Sequence, residues 1–295
     1  MSYYQRQFSR LEGAYSPNTI RSYYADVRQF VDWCSKMGVE PFPFDIDTLI
    51  DYVEGLQETH KFATILRKLT SLKAMDRLLG NSANLNSFDL KLLLRRIRRN
   101  QASPSRQARG INLELLTRMI ASQPNSVIGI RNRALLSLGY DFLARRSELA
   151  HLKCADIEFT QGGGIRATIW RSKVDQFGRG RLVYGSTRSS KLVRAWLRHL
   201  PKDFRWLFCP LIQGRPRDQH ICDRSVSEIV KKAVVKTRGK RPREFEVSGH
   251  SLRVGAAQDL LMAGHDIATI MRAGGWSDIH TVSNYLRLAE HNIWE

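Results

Sequence analysis

Arg145 and Glu148 stand three residues apart in FLARRSEL, at the end of an apolar stretch, where helical spacing puts a guanidinium and a carboxylate on one face as an ion pair. His250 and Arg253 in SGHSLRVG have the same spacing, so an imidazole and a second guanidinium also point together. Trp276 follows in AGGW, and Tyr285 in SNYLRL continues a stripe with Ile279 and Val282, which by itself describes a half-buried core tyrosine. Lys173 sits in the turn after Ile169-Trp170, where an isolated lysine faces water. Each is an ordinary feature of a helical protein when taken alone. As a set they supply two guanidiniums, an ammonium, an imidazole, an indole and a phenol, all able to donate hydrogen bonds to an anion.

Other chemistries have little to build on. The cysteines at 34, 154, 209 and 222 are 120, 55 and 13 residues apart, so none has zinc-finger or redox spacing, and they read as reduced thiols. The eight histidines form no HxxxH or HExxH pair, and the GGG at 162–164 lacks the Lys-Ser/Thr that a phosphate-cradling loop needs. Carboxylates do not cluster at the spacing a metal-dependent nuclease would require. The expectation is no metal and no cofactor.

The elements that must position these residues are mostly helices. After Ser16-Pro17, a cap and first-turn pair, apolar residues at Ile20, Tyr23, Tyr24, Val27, Phe30, Val31 and Cys34 predict an amphipathic helix ending near Gly38. Helices over 47–55, 62–79 and 87–99 complete a small bundle in the first hundred residues. Helix 62–79 stripes Ile65, Leu69, Leu72 and Met75 on one side and leaves Thr64, Arg67, Lys68, Ser71 and Lys73 elsewhere on its surface. RRIRRN at 95–100 then runs into QASPSRQARG at 101–110, polar and without periodicity, the best linker in the chain. Beyond it the pattern predicts helices at 112–122 and 128–150, three short strands at 156–160, 165–170 and 181–184, and helices at 188–199, 223–236, 250–263, 266–273 and 278–289. The fold class expected is mainly α with a small antiparallel β-sheet in the second domain, with domains at 1–100 and 111–295 joined by 101–110.

In their order and spacing these residues match one family. The sequence resembles the tyrosine recombinases, or phage integrase family, over almost its whole length: SPNTIRSYYADVRQFVDWC, LLLRRIRRN, RRSEL, RSK before a Gly-bearing turn, GHSLRVGAA, IMRAGGW and NYLR. The most specific segment is GHSLRVGAAQDLLMAGHDIATIMRAGGW, which joins His-x-x-Arg to Trp at the family's distance. Many members carry histidine where Trp276 stands, which narrows the resemblance to a tryptophan-bearing subset. The resemblance implies a catalytic set of Arg145, Glu148, Lys173, His250, Arg253, Trp276 and Tyr285. It implies a metal- and ATP-independent reaction in which Tyr285 attacks a DNA phosphodiester and keeps it as a 3′-phosphotyrosine. Arg145 and Arg253 clamp the phosphoryl oxygens, Lys173 protonates the leaving 5′ oxygen, and His250 and Trp276 assist. Two guanidiniums can supply the charge that Mg²⁺ supplies in other phosphoryl-transfer sites.

Charge agrees with a polyanionic partner. The chain of 295 residues has 47 basic and 28 acidic side chains, net +19, of which the residues up to Arg109 carry +6 and the rest +13. No apolar run approaches the 18 to 20 residues, roughly, of a membrane span, and Met1 to Arg10 has no signal-peptide core, so the expectation is a cytoplasmic protein with no membrane partner. The resemblance implies a C-shaped clamp on double-stranded DNA at an inverted-repeat site and a homo-tetramer that exchanges strands through a Holliday junction. By resemblance and groove geometry, base reading falls to Thr64, Arg67, Lys68, Ser71 and Arg224, and phosphate contact to Arg95, Arg96, Arg98 and Arg99. A type IB topoisomerase or telomere resolvase would share the chemistry, and a DNA-binding regulator would need Tyr285 only as core. The ten residues after Tyr285, ending Ile293-Trp294-Glu295, read equally well as a docking tail or a frayed end.

Overall fold

Ser16 starts the long first-domain helix as its sequence demands: its hydroxyl accepts from the Thr19 amide at 3.2 Å, Pro17 takes the first turn, and Gly38 ends the helix at φ +70°. The computed structural model describes residues 3–82, 86–101, 108–170, 180–238 and 247–286. Within them the chain divides into two compact units, Met1–Ser105 and Arg106–Glu295.

The first unit is helical: α1 (Tyr3–Ser9), α2 (Pro17–Met37), α3 (Ile46–Leu56), α4 (Phe62–Leu78) and α5 (Phe88–Asn100). Asp45 and Ser87 cap α3 and α5. Phe8, Val27, Phe30, Leu49, Ile65, Leu72, Met75, Leu90 and Ile97 form its core, and burial of each large side chain contributes about 1.5–3 kcal/mol. Helix α1 escapes sequence reading because seven residues with Phe8 as the single buried one give no periodicity. Gln101 also belongs to this unit: its side chain accepts from the Phe62 amide at 2.7 Å and donates to the carbonyls of Gln57 and His60, closing the start of α4, where Lys61 provides no cap.

Helix α4 corrects one expectation. Lys68 and Ser71 do not lie on its outer surface but are buried, because α4 packs on α2 against Asp26, a carboxylate only 3 % exposed. Lys68 Nζ lies 3.5 Å from Asp26 Oδ1 and also reaches Gln29, while Ser71 donates to Asp26 Oδ2 at 2.7 Å. A buried carboxylate needs such partners, and the need outweighs the lysine's preference for water. Arg67 stays at the surface but is also paired with Asp26, and Thr64 is half-buried.

The second unit contains α6 (Leu113–Ala121), α7 (Val127–Asp141), α8 (Arg146–Ala150), β1 (Ile157–Phe159), β2 (Ile165–Ile169), β3 (Arg181–Gly185), α9 (Thr187–Leu197), a two-residue hairpin β4 (Leu211–Ile212) and β5 (Arg215–Pro216), α10 (Asp223–Arg238), α11 (Ser251–Met262), α12 (Ile267–Gly274) and α13 (Ile279–Leu286). Strands β1–β2–β3 form an antiparallel sheet with Ile157 opposite Ala167 and Ile169 opposite Arg181; Ile165, Ala167 and Ile169 of β2 face the core. A mainly α chain with a small antiparallel sheet is the expected class. The core runs through α7 and α11, whose stretches Ala134–Tyr140 and Ser251–Ala257 are buried throughout.

The expected helix 128–150 is two helices. It stops at Asp141, Leu143 takes φ +45°, and a new helix begins after Arg145. Phe142, Leu143 and Ala144 are all buried, so the apolar run continues through the break and conceals it from periodicity. The break moves Arg145 and Glu148 from the flank of a long helix to the first turn of a short one.

Candidate active site

At that turn Glu148 caps its own helix: its Oε2 accepts from the Arg145 amide at 2.9 Å, and its Oε1 lies 2.5 Å from Arg145 Nη1. The carboxylate is buried, and its cation is mostly so. Arg145 is held from the far side by the Gly275 carbonyl, 3.4 Å from Nη2.

Helix α11 contributes two residues. His250 is the residue before its first turn, and Arg253 follows, fully buried at 0 % exposure. Arg253 donates Nη1 to the Leu143 carbonyl, which the left-handed Leu143 presents, and lays its guanidinium 3.9 Å from the Trp276 ring centre. Its Nε and Nη2 have no partner among the described residues. Burial first, then Arg145 and Arg181, against the opposing pull of Glu148, push its pKa down to about 9, so it remains a cation at neutral pH. A buried cation with two free donors leaves an unmet demand for an acceptor, which an anion would fill.

Tyr285 lies on α13, where Val282 is buried one turn earlier and Asp278 caps the first turn by accepting from the amides of His280 and Thr281. Gln258 of α11 donates to the Tyr285 carbonyl at 3.0 Å, tying the two helices together. The Tyr285 hydroxyl is 2.8 Å from His250 Nε2, and its ring is 5.0 Å from the imidazole and 5.6 Å from Trp276. Burial, followed by Arg253, Arg145 and Arg146, lowers the His250 pKa to about 4. The imidazole is therefore neutral at pH 7, and Nε2 can accept a hydrogen bond from the phenol in the tautomer that carries its proton on Nδ1.

Arg145, His250, Arg253, Trp276, Ser277, Asp278, Thr281 and Tyr285 line one cavity of about 100 Å³. Five of these were expected at the site. Glu148 is not in the lining but stands behind Arg145, and Lys173 lies outside the described residues. Arg224 is exposed at the second position of α10, and Arg95, Arg96, Arg98 and Arg99 are exposed around the buried Leu93 and Ile97 of α5. Among the described residues, no group of three or more His, Cys, Asp or Glu side chains is placed to hold a metal ion.

Sequence reasoning missed Arg181 and the purpose of Gly274-Gly275. Arg181 opens β3, pairs with Glu148 Oε2 at 3.1 Å and donates Nη1 to the carbonyls of Phe142, at 3.2 Å, and Ala273. A side chain on Gly274 would collide with the Trp276 ring, and one on Gly275 would meet Arg181 Cδ at 2.6 Å. The AGGW motif was the available signal: consecutive glycines before a tryptophan mark a place where two side chains approach the backbone.

A mainly helical chain in which arginines and a tyrosine surround one small cavity defines a protein equipped to bind an anion beside a tyrosine hydroxyl. Comparison with known proteins specifies the class. The model of the phage integrase family matches residues 111–292. The chain is 31% identical over 275 residues to an integrase/recombinase xerD homolog of Selenomonas ruminantium, covering 89% of this chain and 79% of the relative. It is 28% identical over 291 residues to recombinase cre of Escherichia phage P1, covering 93% and 85%. Among solved structures it is similar to XerH site-specific recombinase bound to palindromic difH substrate, with TM-score 0.69 and 18% identity over 92% of this chain and 76% of that one. It is also similar to a lambda integrase(75-356) dimer bound to a COC' core site, with TM-score 0.67 and 14% identity over 99% and 96%. The chain belongs to the phage integrase family, the tyrosine recombinases, and its activity class is site-specific DNA recombination.

Proposed function

We propose that this chain is a Cre-like recombinase that cuts and rejoins DNA through a 3′-phosphotyrosine, without metal or ATP. The observation that carries the reading is the 2.8 Å contact between neutral His250 and Tyr285 beside the two unpartnered donors of Arg253. The scissile phosphate lies against Arg145 and Arg253. Tyr285 Oη attacks phosphorus as His250 Nε2 takes the phenolic proton, a bond from Oη to phosphorus forms, and the bond from phosphorus to the 5′ oxygen breaks. Lys173 protonates that oxygen, and Trp276 packs against Arg253 and offers its indole N–H. The bond energy stays in the phosphotyrosine, so a 5′ hydroxyl from a second duplex reverses the attack and completes strand exchange.

In this reading both basic units contribute to binding the DNA. Two protomers occupy an inverted repeat, and two sites join as a tetramer that resolves a Holliday junction. The amino-terminal domain covers about residues 1–100, the linker 101–110 and the catalytic domain 111–295. Arg224 reads a base, Arg95, Arg96, Arg98 and Arg99 hold phosphates, and on α4 the half-buried Thr64 and the exposed Arg67 keep the DNA-facing role. A cytoplasmic location follows from the DNA partner; among the described residues no helix is long and apolar enough to cross a membrane.

The test uses inverted-repeat DNA from the source element, nicked so that cleavage is trapped, incubated with protein in EDTA and run on a denaturing gel. A covalent protein–DNA band that vanishes with Tyr285→Phe while binding persists is the expected result. Binding at a footprinted site with no covalent band would replace the reading with a DNA-binding regulator. A band without exchange between two sites would replace it with a topoisomerase.

A further inference from the structure

Three guanidiniums surround the one buried carboxylate of the site. Glu148 offers Oε1 to Arg145 and Oε2 to Arg181, and Arg253 stands nearby with no carboxylate partner among the described residues. Had Glu148 faced Arg145 alone, the pair would be close to neutral, and a phosphate would have to compete with a carboxylate for the same fork of donors. Arg181 shares that carboxylate, so that the three guanidiniums and Glu148 together keep two positive charges unneutralised beside the cavity.

Arg181 does not reach the cavity, whose lining does not include it. Its donors are taken up by Glu148 and by the carbonyls of Phe142 and Ala273, except for Nε, which is buried beside Gly275 without a partner among the described residues. Those carbonyls belong to the two turns that carry the site. Phe142 precedes Leu143, whose carbonyl holds Arg253, and Ala273 precedes Gly275, whose carbonyl holds Arg145. One side chain therefore bridges the start of β3, the α7–α8 break and the end of α12. Lysine could not replace it, since a single ammonium lacks the planar fork that reaches three oxygens in different directions.

We propose that Arg181 is a positioning residue for strand cleavage: by sharing the Glu148 carboxylate and joining the two turns, it keeps Arg145 aimed at the scissile phosphate. This rests on the recombinase reading of the pocket. Its effect passes through the negative charge of the phosphate, which gives it a signature that a merely structural residue would lack.

The full chain is assayed in single-turnover cleavage of the nicked site, with the scissile position either a phosphodiester or an uncharged methylphosphonate. Arg181→Met is expected to slow phosphodiester cleavage by about 10- to 100-fold. On the methylphosphonate, which has no charge for Arg145 to clamp, the same variant is expected to lose no more than about 3-fold by the same argument. Adding Glu148→Gln to Arg181→Met removes the unshared carboxylate and is expected to recover part of the phosphodiester rate. An equal loss on both substrates, no loss on either, or no recovery in the double variant overturns the proposal. If Arg181→Met does not fold, Arg181→Lys, which keeps the charge but not the fork, is compared on the same two substrates, and an equal loss on both again overturns it. A wild-type chain that forms no Tyr285 adduct on a footprinted site would instead sink the recombinase reading, and this role with it.

Discussion

Arg253 shows at the scale of one residue what the site is built to receive. Its guanidinium is fully buried, stacked on Trp276 and bonded to one carbonyl, and the two donors left over cost free energy until an acceptor arrives. Arg253→Lys is expected to lower the single-turnover rate of covalent adduct formation by about 10²-fold or more, in line with the loss of a donor that stabilises developing charge. His250 gives a prediction in pH. Its pKa is near 4 in the fold against the ordinary 6.5, so between those values the unfolded chain binds the proton more readily than the folded one. The contribution is fully present above about pH 6.5 and is lost as pH falls toward about 4. The melting temperature of the DNA-free chain is expected to fall over that window, and His250→Gln is expected to flatten the fall. An unchanged pH profile in the variant would mean that the imidazole is not the group responsible.

Helices with regular stripes were legible from sequence because the signal is local, and Ser16, whose hydroxyl accepts from the Thr19 amide, marks the start of the first long one where its apolar pattern begins. His250, Arg253, Trp276 and Tyr285 were legible for a related reason, since their spacing lies within one run of helices. The break at Leu143, the inward turn of Lys68 and the bridge made by Arg181 were not, because each depends on a partner far along the chain. Asp26 is 42 residues from Lys68, and Ala273 is 92 residues from Arg181. Periodicity reports which face is apolar and is silent about a cation drawn inward by a carboxylate on another helix. Two tests belong to these elements. Asp26→Ala leaves Lys68 buried without its counter-charge and is expected to cost about 3–5 kcal/mol of stability by denaturant unfolding, with Asp26→Ala/Lys68→Met less destabilised than the single variant. Gly275→Ala faces both φ +66° and the 2.6 Å approach to Arg181 Cδ; it is expected to cost about 1–3 kcal/mol by the same measurement and to slow cleavage.

For the molecule as a whole the measurable quantity is charge: the net +19 is divided as +6 up to Arg109 and +13 beyond it, so both parts of the sequence are basic. Replacing Arg95, Arg96, Arg98 and Arg99 with glutamine is expected to weaken binding to all sequences and to reduce the slope of log K against log salt by about 0.9 for each phosphate no longer neutralised. Arg224→Ala is expected to act differently, relaxing the preference at one base pair by about 1–3 kcal/mol while leaving other positions unchanged in a selection from randomised sites. A uniform loss would make Arg224 a phosphate contact. The way the guanidiniums are held also bears on how the protein can change over generations. Arg145, Arg181 and Arg253 hang on the main-chain oxygens of residues 142, 143, 273 and 275. A carbonyl is the same group whichever amino acid carries it. Phe142 and Ala273 are therefore free to drift among residues that fill the same space, and it is the path of two turns, more than the identity of their side chains, that an inherited sequence must preserve.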